Sequence, residues 1–454
     1  MENLMIRKYN VPGPRYTSYP TVPYWEEGSF TAEQWQGTML KAFNESNAGE
    51  GISLYIHLPF CESMCTFCGC HKRITKRHEV EMPYIKAVLK EWAMYRDLFK
   101  KRPRIKELHL GGGTPTFFSP ANLKELIDGI FELADAAPGY EFSFEGHPNN
   151  TTKEHLQTFY NLGFRRVSFG VQDYNDTVQK AINRIQPFCN VAKVSFWAKE
   201  IGYTSISHDL VYGLPFQSLE NMVDTIEKTK SLNPDRISFY SYAHVPWIKG
   251  NGQRGFDEQN LPKDEEKRML YEVGRKLLLA KGYYEIGMDH FALDTDSMYD
   301  AANNGKLHRN FMGYSASKTQ LMIGLGVSSI SDSWYSFAQN EKNLEDYYAR
   351  LDDNTLPVFR GHILDDEDLI IRRHILNLMC HFETSWADSG LYFKELPDVL
   401  ISLKEMENDG LLEISGKSIR VTEKGKAFVR NICMAFDLRL KRRAPETKLF
   451  SMTV

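Results

Sequence analysis

Six short β-rich runs recur along the first half of the chain: "ISLYIHL" (52–58), "IKELHL" (105–110), "YEFSFEG" (140–146), "RRVSFGV" (165–171), "SISHDLVY" (205–212) and "DRISFYSY" (235–242). Amphipathic stretches of helical period lie between most of them, such as "EVEMPYIKAVLKEWAMYRDLF" and "PANLKELIDGIFELADAA". Strand followed by helix, repeated about six times, predicts a parallel sheet with crossover helices. Polar residues and glycines gather just after the strands: cysteines after the first, "GGGTPT" after the second, "EGHPNN" after the third and "GVQDYN" after the fourth. Barrel-like α/β enzymes carry their sites at these C-terminal strand ends. Six units make an α/β fold with an incomplete (β/α)6 TIM-like barrel, open on one side to a large substrate.

The rhythm changes past residue 300. "LHRNFMGYSASKTQLMIGLGVSSIS" (307–331) is rich in Gly and Ser and reads as a loop segment lining the site. From about 365 onward, "DEDLIIRRHILNLMC", "LPDVLISLKEMENDGLL" and "TEKGKAFVRNICMAFDLRL" read as helices, with a short hairpin around "LEISGKSIRVT". Helices plus a small wing predict a mostly helical, winged-helix-like domain. Such units bind DNA in some proteins and only pack in others, so function has to be argued from the site. The expected division is 1–45, an N-terminal arm and helix covering the active site; 46–300, the partial barrel; 301–360, the site-lining connection; and 361–454, the C-terminal domain. Prolines and a glycine in "KYNVPGPRYTSYP" (8–20) forbid a regular helix through its middle, so this arm should run extended. Its tyrosines suit packing across the open barrel mouth.

Composition narrows the picture only a little. A chain of 454 residues with 42% hydrophobic and 25% charged residues suits two or three ordinary globular domains. A net charge of −4 carries no nucleic-acid signal. No apolar run is long enough to span a membrane and "MENLMIRKYN" lacks a signal peptide's apolar core, so a cytoplasmic protein is expected. Two basic runs stand out. "LRLKRRAPETK" reads as a solvated face, whereas "HKRITKRH" directly follows a cluster of cysteines.

That cluster, "CESMCTFCGC" (61–70), holds four of the seven cysteines. A disulfide knot would suit a small secreted chain, and the remaining thiols are scattered as in a reducing cytosol. Structural zinc normally takes four ligands in two pairs, and no second pair follows at finger-like distance, although His57, His71 or His78 could complete such a site. Three thiolates spaced C-x3-C-x2-C suit an iron–sulfur cluster better. A four-iron cluster on three cysteines leaves one iron open, which implies chemistry beyond electron carriage.

The cysteine spacing and "GGGTP", in order on successive strands, resemble the radical S-adenosylmethionine superfamily. That resemblance implies S-adenosylmethionine chelated to the open iron and cleaved to a 5′-deoxyadenosyl radical, with the cofactors carrying the hard chemistry. Further blocks resemble the oxygen-independent coproporphyrinogen III oxidase (dehydrogenase) family: "YNVPGPRYTSYPT", "YIHLPFCESMCTFCGC", "VSFGVQD", "INRIQ", "DLVYGLP", "YAHVP", "GMDHFA", "LHRNFMGY" and "RNICMAFD". They run from residue 9 to beyond 430 in the family's order. The implied reaction is oxidative decarboxylation of two propionates of coproporphyrinogen III to vinyl groups, giving protoporphyrinogen IX in haem biosynthesis. Alternatives are a radical-enzyme-like haem chaperone or haem-degrading enzyme, and, outside enzymology, a zinc or iron–sulfur electron-transfer or interaction protein. Chaperone relatives usually lack the fourth cysteine and the tyrosine-rich arm, and this chain has both.

Carried over by resemblance, Cys61, Cys65 and Cys68 are the cluster ligands and Cys70 has a catalytic role without being a ligand. Tyr55, Phe67, Gly112, Gly113, Thr114, Glu145, Gln172, Arg184, Asp209, Ala243 and Ile330 are the cofactor contacts, for which the family implies two S-adenosylmethionine molecules. Four substrate carboxylates call for cations, and Lys72, Arg73, Lys76, Arg77 and Arg309 are the candidates. The implied partners are the porphyrinogen and a reductant protein such as a flavodoxin or ferredoxin, acting on a monomer. Two departures stand against the family pattern. "EGHPNN" replaces an "EIDPR"-like stretch, keeping Glu145, and Met312 replaces a glutamine near the second cofactor.

Overall fold

A computed structural model describes residues 2–248, 252–445, 447 and 449–453. The six expected strands form, all parallel: β1 (Ile52–Leu58), β2 (Arg104–Gly112), β3 (Asp135–Gly146), β4 (Arg166–Gln172), β5 (Ser205–Tyr212) and β6 (Arg236–Ser241). They lie side by side in chain order. Alternation along β1 shows why one face is dry and the other chemical. Ile52, Leu54, Ile56 and Leu58 pack with Ile85, Val88 and Trp92 of the helix Glu81–Phe99, while Ser53, Tyr55 and His57 point the other way. The crossover helices begin on side-chain caps: Ser119, Thr152 and Ser218 each accept a backbone N–H of the first helical turn.

The expected loop at 307–331 is corrected. It contains a hairpin, His308–Asn310 against Gly313–Ser315, and then β7 (Leu321–Leu325), which pairs in parallel with β1. The chain continues antiparallel through β8 (Ile330–Ser333), β9 (Ser336–Asn340) and β10 (Val358–Ile363), which pairs with Glu26–Glu27. At the opposite edge, β6 takes on His290–Ala292 and then Tyr284–Ile286. Among the described residues the sheet therefore has 13 strands and is open. Glycine serves turning at Gly313 of the hairpin, with φ +106°, and packing at Gly324. A Cβ at Gly324 would stand 2.4 Å from the Ile330 carbonyl oxygen, so only glycine lets the two strands approach.

Beyond residue 365 the chain forms the helix Asp366–His381, the strand Glu383–Ser385, the helix Leu396–Asn408 and the hairpin Leu412–Ser415/Ser418–Val421. The three strands make one small sheet, as a winged-helix arrangement requires. The expected helix over 422–440 is broken into a tight turn at Lys426–Phe428 and the helices Val429–Phe436 and Leu438–Arg442, the last capped by Asp437 accepting from the Leu440 amide at 2.8 Å.

The N-terminal arm begins as a helix, Glu2–Tyr9, and then runs extended. Met5, Ile6, Tyr9, Tyr16 and Tyr19 belong to the same hydrophobic core as Ile371, Leu378, Val399 and Ile432. Arg430 donates to the carbonyls of Gly13 and Pro14, and the Tyr16 hydroxyl donates to Asp437 at 3.1 Å. On the other side, Arg15 donates to the Ser241 carbonyl at the end of β6, at 2.6 Å. The arm is thus a seam between the C-terminal helices and the sheet.

Candidate active site

A line of polar side chains crosses the inner face of the sheet near its C-terminal end. The rings of Tyr55 (β1) and His109 (β2) stack with centroids 6.0 Å apart. His109 Nδ1 lies 2.8 Å from Ser143 Oγ on β3, and its Nε2 lies 3.5 Å from Glu145 Oε1. The Gly112 amide donates to Glu145 Oε2 at 3.3 Å, and Ser168 of β4 donates to Asp209 of β5 at 2.6 Å. Burial opposes the Glu145 carboxylate, but His109 and the Gly112 amide outweigh it and hold the group below its ordinary range. Burial, reinforced by the Glu145 charge, pushes Asp209 up. Two neighbouring carboxylates are therefore driven apart in acidity.

The cysteine loop is rooted directly above this line. The Gly113 amide donates to the Leu58 carbonyl (2.8 Å) and the Thr114 amide to that of Phe60 (3.0 Å), while Arg73 and Thr75 amides bond the carbonyls of Pro59 and Cys61. Gly112 has φ +114°, and a Cβ there would stand 2.7 Å from the His57 ring, so the glycine run lets the end of β2 press against the loop's own base. His57 is held between Tyr55 OH (3.0 Å) and the His71 carbonyl (2.9 Å), and burial lowers it to about 4, so it stays neutral.

Cys61 Sγ lies 3.3 Å from Thr114 Oγ1, and Arg184 Nη1 donates to Cys65 Sγ at 3.7 Å. Burial pushes the Cys61 thiol up to about 11, with the charges of Cys68 and Cys65 adding to the shift, so the three thiols feel one another. The Cys70 thiol hydrogen-bonds Cys68, lowering Cys68 and raising Cys70. Arg184 also donates to the Gly170 carbonyl at 2.7 Å, yet its Nε is buried with no partner. Gln172 ends β4 at φ +68° beside these groups.

Phe67 packs beside Val178, Ile182, Leu214 and Tyr242. Gln253 Nε2 donates to the carbonyls of both Phe67 (3.0 Å) and Ala243 (2.9 Å), tying the cysteine loop to the segment after β6. Ile330 stands apart from the polar line, packed with Trp25, Phe337 and Leu364. Met312 lines a cavity of about 90 Å³ with His109, Ser143, Ser168 and Ser207, and with Leu108, Phe144 and Val167, so its thioether adds to a mixed polar and apolar floor.

The basic candidates separate. Lys72 Nζ donates to the carbonyls of Cys68 (3.2 Å) and Cys70 (3.3 Å), and Arg73 pairs with Glu345 at 2.7 Å. Arg309 is buried, donates to the Tyr16 and Arg15 carbonyls of the arm, and lies over the Tyr314 ring. Lys76 and Arg77 are both exposed. Sequence reasoning overlooked His109 and Gln253. His109 had a signal, the inward register of "HLGGG" two residues before the glycines; Gln253 had none.

Among the described residues no three His, Cys, Asp or Glu side chains converge on a single point as ligands of one metal ion. A four-iron cluster distributes its thiolates over separate irons, and the observed donor set fits that demand: three thiols within one another's field, a lysine beside them, and Arg184, which donates to Cys65 and keeps a buried Nε without a partner.

Residues 55–229 match the Radical SAM superfamily. Over the whole length, the chain is 39% identical across 443 residues to an oxygen-independent coproporphyrinogen III oxidase of Helicobacter pylori, covering 96% of each chain. It is 37% identical across 445 residues to the corresponding protein of Escherichia coli, covering 97% of this chain and 96% of that one. The structure superimposes on the solved coproporphyrinogen III oxidase of Escherichia coli, described as a radical SAM enzyme, with a TM-score of 0.88 and 34% identity, covering 96% and 99% of the two chains. With the thiol loop, the polar line and the full-length likeness together, the chain belongs to the oxygen-independent coproporphyrinogen III oxidases, radical SAM enzymes of haem biosynthesis that use a [4Fe-4S] cluster and S-adenosylmethionine.

Proposed function

We propose that Cys61, Cys65 and Cys68 hold the [4Fe-4S] cluster and that the line from Tyr55 to Asp209 holds S-adenosylmethionine, for the oxidative decarboxylation of two propionates of coproporphyrinogen III to vinyl groups. The observation that carries this reading is the meeting of the three thiols, Arg184 and Glu145 at one end of the parallel strands. Glu145 accepts hydrogen bonds from an ammonium or ribose hydroxyls, Asp209 accepts alongside it, and Arg184 pairs with a carboxylate. Gly112, Gly113, Thr114, Gln172 and the backbone at Phe67 and Ala243 shape the walls. When bound, these groups supply the radical chemistry that takes a β-hydrogen from each propionate, after which loss of carbon dioxide and one electron leaves the vinyl group. Neutral His57 fixes the loop root through Tyr55 and His71, and the arm excludes water from the mouth.

Cys70 acts on the reaction without ligating iron. A second S-adenosylmethionine, Ile330 as a further cofactor contact, a flavodoxin- or ferredoxin-like reductant, a monomeric state and a cytoplasmic location complete the reading. Among the described residues no helix is long and apolar enough to cross a membrane. Of the five cations, Lys76 and Arg77 are assigned to propionates, because Lys72, Arg73 and Arg309 already have partners in the chain. The test is an anaerobic assay of the reconstituted protein with coproporphyrinogen III, reading products by mass. Loss of two carboxyl groups as carbon dioxide supports the proposal; cleavage of S-adenosylmethionine with no vinyl product overturns the substrate assignment.

A further inference from the structure

Two large charged clefts lie outside the polar line, and they differ in how their cations are used. One, of about 410 Å³, lies beside β6 and the arm. Its cations are engaged: Arg275 with Glu285 (2.6 Å), Arg268 with Glu272, Lys426 with Glu423 (2.5 Å), and Arg430 with arm carbonyls. The other, of about 820 Å³, is bounded by the residues just before β7, the turn between β8 and β9, and the helix Asp366–His381. Lys306, Lys318 and Arg373 line it, and among the described residues none of the three has an ion-pair partner. The lone acid of the lining, Glu45, accepts from the Tyr335 hydroxyl at 2.7 Å.

The second cleft also has an aromatic wall. Lys318 Nζ stands 5.9 Å and the Arg373 guanidinium 5.3 Å from the Trp334 ring, and Tyr335 lies beside it. His308 reports the local field: burial, then the positive charges of Arg372, Lys318 and His381, lower it to about 3. Unbalanced cations next to an accessible indole select a ligand that offers negative charge and a flat ring at once. The cleft is separate from the active site. β7 runs parallel to β1, so the residues before β7 sit at the opposite end of the sheet from the cysteine loop, roughly 17 Å away for a strand of this length.

We propose that this cleft is a second binding site, for a planar aromatic ring system carrying carboxylates or phosphates. The ring stacks on Trp334 and the anionic groups reach Lys306, Lys318 and Arg373. A porphyrin carboxylate and a nucleoside diphosphate share that chemistry. The helix Asp366–His381 forms one wall of the cleft and also packs in the core that holds the arm, so occupancy bears on the seam above the active site.

The test uses full-length, cluster-reconstituted protein titrated separately with coproporphyrin III, ADP and inorganic pyrophosphate by equilibrium dialysis. Coproporphyrin III or ADP should fill a site that the Lys318→Glu/Arg373→Glu double variant weakens by at least about tenfold, with turnover of coproporphyrinogen III retained. Porphyrin bound in the active site is recognised as the equivalent that survives in the double variant. Lys318→Arg should keep the affinity, and Trp334→Leu should weaken the aromatic anions while sparing pyrophosphate. Equal binding by wild type and double variant, no equivalent beyond the active site, or pyrophosphate binding as tightly as the aromatic anions overturns the proposal.

Discussion

Two glutamates, Glu145 and Glu91, lie on opposite faces of the same sheet and have opposite fates. Glu91, on the helix Glu81–Phe99, is fully buried and accepts three hydrogen bonds: from the Gly326 amide (2.8 Å), Tyr347 OH (2.7 Å) and Asn340 Nδ2 (2.7 Å). Burial still pushes it up to about 7. It ties the helix to the connection between β7 and β8 and to β9, and Tyr84 beside it donates to the His57 carbonyl at 2.6 Å. Glu145 keeps 45% of its side chain open, and its two contacts are long, at 3.5 and 3.3 Å. A carboxylate whose lone pairs are filled at short distance holds the fold; one with spare capacity, beside thiols at strand ends, is poised for a ligand.

The largest expected effect breaks the open side of that comparison. Cys65→Ala should abolish both the iron–sulfur chromophore and S-adenosylmethionine cleavage, because a three-cysteine cluster has no spare protein ligand. Iron and sulfide analysis with a cleavage assay checks this. Next, Glu145→Ala should weaken S-adenosylmethionine binding by about ten- to a hundredfold, the range for losing a hydrogen bond to a charged group, with little change in melting temperature. A variant that melts early while binding normally would place Glu145 with Glu91 as a structural group.

On the closed side, Glu91→Ala should cost about 3–5 kcal/mol of stability, since three buried donors lose their acceptor, while cofactor affinity of the folded fraction is retained. Denaturant titration measures it. The smallest effect is in pH dependence. The folded value of Glu91, about 7, lies above the 4.5 of an ordinary carboxylate, so the native state holds this proton more tightly than the unfolded chain. Its contribution is therefore complete below pH 4.5 and is lost as pH rises through about 7. Thermal melts across that window should show wild type losing stability relative to Glu91→Gln, whose profile should be flatter.

The arm adds a second lesson. An extended segment across a barrel mouth invites deletion of residues 1–20, but Tyr16 and Tyr19, each 2% exposed, are part of the C-terminal core. Removing them opens that core, so Arg15→Ala, which releases the bond to Ser241 and the positive charge near Asp289 while leaving the tyrosines in place, is the sharper probe of closure.

The sequence by itself determined the parts whose signal is local. Alternation of apolar residues specified six parallel strands, and caps such as Ser119 and Thr152 started their helices where short-range hydrogen bonding requires. The spacing of Cys61, Cys65 and Cys68, with the glycines at the end of β2, carried the resemblance to the radical S-adenosylmethionine superfamily that the whole-chain likeness bears out. Tertiary structure alone decided what depends on partners distant in the chain. "LMIGL" is a strand and not a loop because β1 offers it a parallel edge and Gly324 lets β8 come close. Arg309 serves the arm and Lys72 the cysteine loop because the fold brings backbone carbonyls of those segments within hydrogen-bond reach of them. Which of the two glutamates keeps accepting capacity to spare depends on how many donors the fold delivers to each, a quantity that local sequence does not encode.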